Sequence, residues 1–187
     1  MVVTPELLVD ELRQECGPAA LQAVVDHHDA LRLRLRRDVP AVWRTVVTAP
    51  GTVDAADLLR RVDVSGLDDA ARRAAIAAEA DAAAGRLDPD AGVMLQAVWF
   101  DAGPGAAGRL LLAAHHLAVD GVSWAVLLPD LATAWVAAAV GDTARLAPVG
   151  TSLRRWSRLV SEAAADPGRL DELDHWLGTL APGADLL

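Results

Sequence analysis

The sequence VMLQAVWFDAGPGAAGRLLLAAHH occupies residues 93–116 and contains two apolar runs, 93–100 and 109–115. Glycine and proline separate the runs, and these residue types mark turns between regular elements. The glycine-rich segment 103–108 lacks the strand, turn and helix order of a phosphate-binding loop, which favours a flexible hairpin tip. The stretch therefore predicts a β-hairpin whose second strand ends at a pair of histidines.

The segments on either side of the hairpin carry helical and strand patterns. Thr4 predicts the start of a helix that breaks at Gly17-Pro18 and resumes over 21–28. Apolar and charged residues alternate over 31–36, which predicts a strand with one buried face, and the valine-rich segment 42–47 predicts an antiparallel partner. Further helices are expected over 70–84 with Asp68 or Asp69 as cap, over 122–140 as a buried helix kinked near Pro129, and over 152–165 and 171–180. The pattern as a whole predicts an α/β fold with helices packed on a mixed sheet.

Composition argues against several classes of protein. A formal charge of -9 over 187 residues disfavours nucleic acid or an anionic membrane surface as the main partner, because both attract positive charge. The single cysteine, Cys16, excludes an intramolecular disulfide framework and a cysteine-based zinc cluster. No apolar run suits a bilayer crossing, and the first residues lack the features of a signal peptide. We expect one domain located in the cytoplasm.

Four of the five histidines form two adjacent pairs. The pair His27-His28 is predicted at a helix end, where imidazoles can bond the last carbonyl groups and meet the negative end of the helix dipole. Adjacent residues on a strand point to opposite faces, so a pair of this kind is not expected to chelate one metal ion. We therefore expect a capping role for His27-His28 and no metal site.

The second pair, His115-His116, ends a predicted strand and is followed by Asp120 and Gly121 before a predicted helix. Histidine titrates near neutral pH, so one ring facing a cleft could remove or return a proton. Asp120 could orient the loop through a charged hydrogen bond, and Gly121 would permit a sharp turn into the helix. The residues alone leave two interpretations open, a catalytic loop and a structural polar turn.

The run from His115 to Gly121 resembles the HHxxxDG signature of condensation-type domains of nonribosomal peptide synthetases, which share a fold with chloramphenicol acetyltransferase. The following Val122-Ser123-Trp124 is similar to the DGVSWRILLEDL pattern of the epimerization branch of that superfamily. Upstream, HHDALRLRL at 27–35 resembles the HHDALRLRF of the same branch, and the segment 153–156 is similar to the family's SFxxW. The resemblance covers nearly the whole chain.

This resemblance implies a chloramphenicol acetyltransferase-like lobe and a role for each motif residue. His116, the second histidine of the signature, would be the catalytic acid/base and would face a tunnel between two lobes. The other site residues would be His115 and Gly121 in support of the loop, Asp120 and Arg32 as a buried ion pair, and Ser123 and Trp124 as candidates to line the substrate tunnel.

The activity implied is epimerization of an aminoacyl or peptidyl thioester at its α-carbon, with His116 as one acid/base and a glutamate of the second lobe as the other. The thioester would arrive on the phosphopantetheine arm of a peptidyl carrier protein, and no cofactor would bind the chain directly. Because intact domains of this family are longer, residues 1–187 are expected to be the N-terminal lobe, with the C-terminal lobe absent. Two alternatives stay open: a condensation domain that forms peptide bonds, and a non-catalytic lobe that docks a carrier protein, which Ala125 favours because it replaces a family arginine.

Overall fold

In a computed structural model of the chain, the predicted hairpin lies at the centre of a five-stranded sheet. The structure describes residues 2–3, 7–9, 16–39 and 42–181, and the chain divides into two units, Met1–Val149 and Gly150–Leu187. The strands are β1 (Val2–Val3), β2 (Leu7–Val9), β3 (Leu33–Val39), β4 (Val42–Val47), β5 (Leu59–Asp63), β6 (Leu95–Asp101) and β7 (Gly108–Ala114). The helices are α1 (Gly17–His27), α2 (Ala55–Leu58), α3 (Asp69–Gly85), α4 (Trp124–Ala139), α5 (Leu153–Ala164) and α6 (Leu173–Leu180), with 3₁₀ turns at Asp29–Arg32 and Pro167–Glu172.

Both parallel and antiparallel pairs occur in the main sheet. β6 and β7 pair antiparallel, with Leu95 opposite Ala114 and Trp99 opposite Leu110. β5 runs parallel to β6, whereas β1 and β2 both pair antiparallel with the other edge of β7. β3 and β4 form a separate antiparallel sheet of two strands. The hairpin and the mixed α/β architecture predicted from the sequence are therefore confirmed.

The hairpin is buried on both faces, because alternate side chains of its strands enter two different cores. On one face, Trp99 and Leu112 join the cluster that contains the buried residues of α1 and α4, and the rings of Trp99 and Trp135 lie 5.8 Å apart between centroids. On the other face, Phe100 and Leu111 pack in a cluster with Ala83 of α3. Helices thus cover both sides of the main sheet in the first unit.

The strand predicted over 31–36 is present as β3 but begins two residues later, at Leu33. Leu33 and Leu35 are buried while Arg34 and Arg36 are exposed, which confirms one buried face. Its predicted antiparallel partner is β4. The alternation therefore identified the strand correctly, but the first two residues of the pattern belong to the preceding 3₁₀ turn.

The helix predicted to start at Thr4 is wrong where the structure describes that segment. Leu7–Val9 form β2 and pair with β7, and the first helix begins only at Gly17, with Pro18 in its first turn. Proline suits a first turn because the amide it lacks would have no helical partner there. Pairing with the open edge of β7 is a tertiary contact, and it overrides the local helical pattern; Thr4 itself lies outside the described residues.

Strand β5 has no counterpart in the sequence predictions. Its sequence, Leu-Arg-Arg-Val-Asp, contains two adjacent arginines, Arg60 and Arg61, that are both exposed. Such a segment shows no clean alternation of apolar and polar residues. Its strand conformation is stabilised by parallel pairing with β6. The first residues of the two strands, Leu59 and Leu95, are 36 positions apart in the sequence, so no local pattern reveals the pairing.

The helices predicted over 70–84 and 152–165 are confirmed as α3 and α5. Asp68 caps α3 by accepting a hydrogen bond from the Ala71 amide, and Ser152 caps α5 by accepting one from the Arg155 amide. The last predicted helix is present as α6, which begins at Leu173 after a 3₁₀ turn. None of the helices in the described part of the chain has the length and apolar character needed to cross a membrane.

Helix α4 differs from the buried helix predicted over 122–140. It begins at Trp124, contains Pro129, and buries one side through Leu127 and Trp135. Val126 and Val136 on other sides are exposed. The largely apolar composition of this segment therefore hides a one-sided contact with α1 and the core, because alanine and valine occur on both sides of the helix.

We expect Gly108→Ala to destabilise the first unit. A Cβ at Gly108 would collide with the indole ring of Trp99, which is only 5% exposed and has little room to move. Overpacking of this kind costs about 1–3 kcal/mol, measured as the free energy of unfolding in urea. Gly85→Ala is the control, because a Cβ there would meet no atom within 4 Å. Equal losses in the two variants would contradict the packing argument.

Candidate active site

The loop that carries the HHxxxDG residues leaves β7 and is fastened to the sheet and the core. The His115 amide donates to the Met94 carbonyl at 2.9 Å, which extends the hairpin pairing by one residue, and the Ala118 amide donates to the His115 carbonyl at 2.9 Å. Val119 is 5% exposed and belongs to the core between the sheet and α1 and α4. The loop is therefore held at both its start and its middle.

His116 is exposed, and one of its ring nitrogens is bound by the loop itself. Nδ1 lies 2.8 Å from the Val119 carbonyl oxygen. A carbonyl oxygen only accepts hydrogen bonds, so Nδ1 carries the proton and Nε2 of the neutral ring carries the lone pair. The loop thus selects the tautomer that presents Nε2 as a base.

His115 takes the opposite tautomer. Its Nδ1 accepts a hydrogen bond from the Leu117 amide at 3.1 Å, so the proton of the neutral ring is on Nε2. Partial burial, with a smaller contribution from the neighbouring His116, lowers the pKa of His115 below its ordinary value of 6.5. His115 therefore stays neutral around neutral pH and organises the turn after the strand.

Asp120 and Ser123 form a reciprocal pair at the start of α4. The Asp120 carboxylate accepts from the Ser123 amide at 2.8 Å and from its hydroxyl at 2.7 Å, while the Ser123 hydroxyl oxygen accepts from the Asp120 amide at 3.0 Å. Hydrogen bonds from the Ser123 hydroxyl and, to a smaller extent, from the Ser123 amide lower the pKa of Asp120 below its ordinary value of 3.8. This pair shapes the turn that connects the loop to α4.

The ion pair expected between Arg32 and Asp120 is absent from residues 16–39 and 42–181. Arg32 is buried, at 5% exposure, and its guanidinium donates instead to the carbonyls of Val25, Asp26 and Thr48 at 2.5, 2.6 and 3.1 Å. The first two carbonyls belong to the last turn of α1, where helical partners are lacking. Arg32 therefore caps α1 and places a cation at the negative end of the helix dipole. The need of these carbonyls for a donor takes precedence over an ion pair with an exposed aspartate.

The remaining predicted site residues are Gly121, Ser123 and Trp124. Gly121 has no positive φ, so the sharp turn expected there does not depend on glycine, and a Cβ on it would meet no atom within 4 Å. The Ser123 hydroxyl is engaged by Asp120. Trp124 is half-buried against the core, and its Nε1 is buried with no hydrogen-bond partner in the described part of the chain.

The capping role expected for His27-His28 is wrong in its partners. His27 Nε2 lies 2.7 Å from the Ala147 carbonyl oxygen, and His28 Nε2 lies 2.7 Å from Oδ2 of Asp130 in α4. His27 is the last residue of α1 and His28 already has an extended backbone, so the two rings stay close, with centroids 4.9 Å apart. The argument that adjacent histidines point apart does not apply where a helix ends.

Two residues that matter here were not identified from the sequence, namely Asp130 and Thr48. Asp130 follows Pro129 inside an apolar run, and a charged residue in such a run is a signal that it meets a partner. Thr48 contributes its carbonyl group, which carries no signal in the sequence. Both become visible only when the end of α1 meets α4 and the end of β4.

One family model matches most of the chain. The family model "Condensation domain" matches residues 7–186. The chain belongs to the condensation-domain family. Among curated proteins, this condensation-family chain is 36% identical over 168 residues to a linear gramicidin synthase of Brevibacillus parabrevis, covering 90% of the chain and 3% of that protein.

Solved structures show the same fold. The epimerization domain from the third module of tyrocidine synthetase B is 23% identical with a TM-score of 0.78, covering 93% of this chain and 38% of that one. A structure concerning condensation domain-mediated chain release from the enacyloxin polyketide synthase is 22% identical with a TM-score of 0.72, covering 96% of this chain and 34% of that one. The condensation-family chain therefore spans well under half the length of these relatives.

The capping role of Arg32 predicts that Arg32→Met is far more destabilising than Asp120→Asn. Methionine leaves the carbonyls at the end of α1 without a donor in a buried place, and we expect a loss of about 3 kcal/mol in the free energy of unfolding. Asparagine can still accept from Ser123 and position 120 is exposed, so the loss at Asp120 should be much smaller than the loss at Arg32. Urea denaturation of both variants and of the double variant measures this. If the loss in the double variant differs strongly from the sum of the two single losses, Arg32 and Asp120 interact, which would support the ion pair and contradict the capping role.

The lowered pKa of His115 predicts a loss of stability on acidification. The unfolded chain takes up its proton near pH 6.5 while the folded chain does not, so folding weakens as the pH falls below that value. We expect the melting temperature to drop less in His115→Asn than in the parent between about pH 7.5 and about pH 5.5. The asparagine side chain can still accept from the Leu117 amide. The same drop in both proteins would show that His115 does not titrate in this way.

Proposed function

We propose that this condensation-family chain is the histidine-bearing lobe of an epimerization domain, which inverts the α-carbon of an aminoacyl or peptidyl thioester held by a carrier protein. The observation that carries the proposal is the tautomer of His116, because its Nδ1 hydrogen bond to Val119 leaves a basic Nε2 on an exposed ring. A positioned base of this kind is what removal of an α-proton requires.

In the proposed step, His116 Nε2 takes the α-proton, and the electron pair of the broken C–H bond moves into the thioester carbonyl to form an enolate. A proton returned to the opposite face of the α-carbon then completes the inversion and restores the thioester. Two groups on opposite faces are needed for this. The family resemblance assigns the second to a glutamate of the other lobe.

The thioester would be delivered on the phosphopantetheine arm of a peptidyl carrier protein, which serves as substrate carrier and not as a resident cofactor. Support for the epimerization branch comes from Val122-Ser123-Trp124 after the signature and from His28-Asp29 before β3. The reciprocal pair of Asp120 and Ser123 supports a structural role for this motif, since it fixes the start of α4.

Peptide-bond formation is the second candidate, and the match to the condensation-domain family favours it. The same Nε2 could accept a proton from the amine that attacks a carrier-bound thioester. The two reactions leave different products: epimerization exchanges the α-proton and leaves the chain length unchanged, whereas condensation joins two carrier-bound residues.

We expect His116→Gln to lower the rate of α-proton exchange on a loaded carrier protein by about 10²- to 10⁴-fold, because glutamine cannot accept and release a proton. The measurement is wash-in of deuterium from solvent into the thioester residue by the full-length protein, with circular dichroism as the check on folding. His175→Gln is the matched control, since His175 lies on α6 in the second unit.

Parental exchange in His116→Gln would remove the proposed acid/base. A parent protein that shows no exchange but elongates the peptide, with elongation lost in His116→Gln, would replace epimerization by condensation. Binding of the carrier protein with neither reaction would favour the docking lobe.

A further inference from the structure

A cluster of three potential metal ligands lies where the end of α1 meets α4, and the proposed function does not use it. His27, His28 and Asp130 each offer one ligand atom, and these atoms all lie within 4.8 Å of one another. The side chains of His28 and Asp130 are 13% and 17% exposed, so the cluster is sheltered yet open to a small ion. All three residues belong to the first unit.

The hydrogen bonds around the cluster resemble those that orient metal ligands. His27 Nε2 donates to the Ala147 carbonyl at 2.7 Å, so the lone pair of its neutral ring is on Nδ1. A histidine that binds a metal ion commonly donates its other ring N–H to a backbone carbonyl, which fixes the tautomer and the ring orientation. Ala147 thus places His27 in the tautomer that a ligand needs.

The donor set has a distinct chemical preference. Two imidazole nitrogens and one carboxylate oxygen form the ligand type that binds Zn²⁺ with one open coordination position. Ligands on a tetrahedral zinc ion sit about 2.0–2.2 Å from the metal, which places neighbouring ligand atoms roughly 3.3 Å apart. His28 Nε2 and Asp130 Oδ2 are 2.7 Å apart in a hydrogen bond, and they would separate by roughly 0.6 Å to reach the spacing of zinc ligands. Nε2 of His28 would give up its proton to solvent and Nδ1 would take one up, so that the ring stays neutral and the lone pair of Nε2 binds the ion.

We propose that His27, His28 and Asp130 form a Zn²⁺ site that fastens the end of α1 to α4, with water as the fourth ligand. The ion would join residues 102 positions apart in the sequence, from His28 to Asp130. Binding to the folded state alone stabilises that state, so zinc should raise the melting temperature. Because α4 begins directly after the loop of His116, the ion would also stiffen the helix on which that loop ends.

Calorimetric titration of the full 187-residue chain with zinc chloride, after removal of bound metal with a chelator, tests the site. We expect one ion per chain, a higher melting temperature, and an intense visible absorption when Co²⁺ replaces Zn²⁺, as tetrahedral coordination requires. Asp130→Asn is the main variant because its amide oxygen can still accept the hydrogen bond from His28, so the fold is kept while the charged ligand is lost. We expect zinc affinity to fall at least about tenfold in this variant and in His27→Gln.

His175→Gln, which alters the histidine on α6, is the matched control and should bind zinc like the parent. Absence of zinc binding by the parent, equal affinity in the parent and Asp130→Asn, or loss of binding in His175→Gln would each overturn the site. Should His27→Gln fail to fold, the folded Asp130→Asn variant still decides. The outcome is independent of His116, so failure of the proposed function and failure of the zinc site are separate results.

Discussion

The hairpin of β6 and β7 is excluded from solvent on both faces, and the rest of the first unit is arranged to achieve this. Two strands rich in apolar residues cannot leave either face in water without a large cost in free energy. One face is covered by α1 and α4 and the other by α3. The strand that ends at Ala114 therefore delivers His115 and His116 to a fixed place where the core stops and the surface begins.

The end of α1 is the second point of constraint. A helix leaves its last carbonyl groups without internal partners, and burial makes that costly. Arg32 satisfies two of these carbonyls and a third from Thr48, so a single guanidinium connects α1 to the end of β4. Two other side chains at this helix end, His27 and His28, form hydrogen bonds with the Ala147 carbonyl and the Asp130 carboxylate. Motif residues upstream of β3 thus serve to fix α1 against its neighbours.

Tautomer control is the feature of the HHxxxDG loop that the proposed chemistry depends on. His115 and His116 are adjacent, yet the backbone sets opposite tautomers, through the Leu117 amide in one case and the Val119 carbonyl in the other. The first ring is neutral and structural, whereas the second presents a basic nitrogen on an exposed side chain. Asp120, whose carboxylate accepts from Ser123, shapes this loop through the start of α4, and in the described residues it forms no hydrogen bond or ion pair with Arg32.

Local chemistry in the sequence determined the hairpin, the helices α3 and α5 with their caps, the buried face of β3, and the motif that belongs to the condensation-domain family. These features depend on residues close together in the chain, where alternation, helical spacing and capping side chains act directly. Tertiary structure alone decided that Leu7–Val9 form a strand, that the charged segment of β5 pairs with β6, that Arg32 caps α1, and that His28 meets Asp130. Each of these is a hydrogen-bonding demand satisfied by a group distant in sequence or by a backbone carbonyl. A backbone carbonyl leaves no mark in the local pattern, and a charged residue in an apolar run, such as Asp130, indicates that it has a partner but not which one.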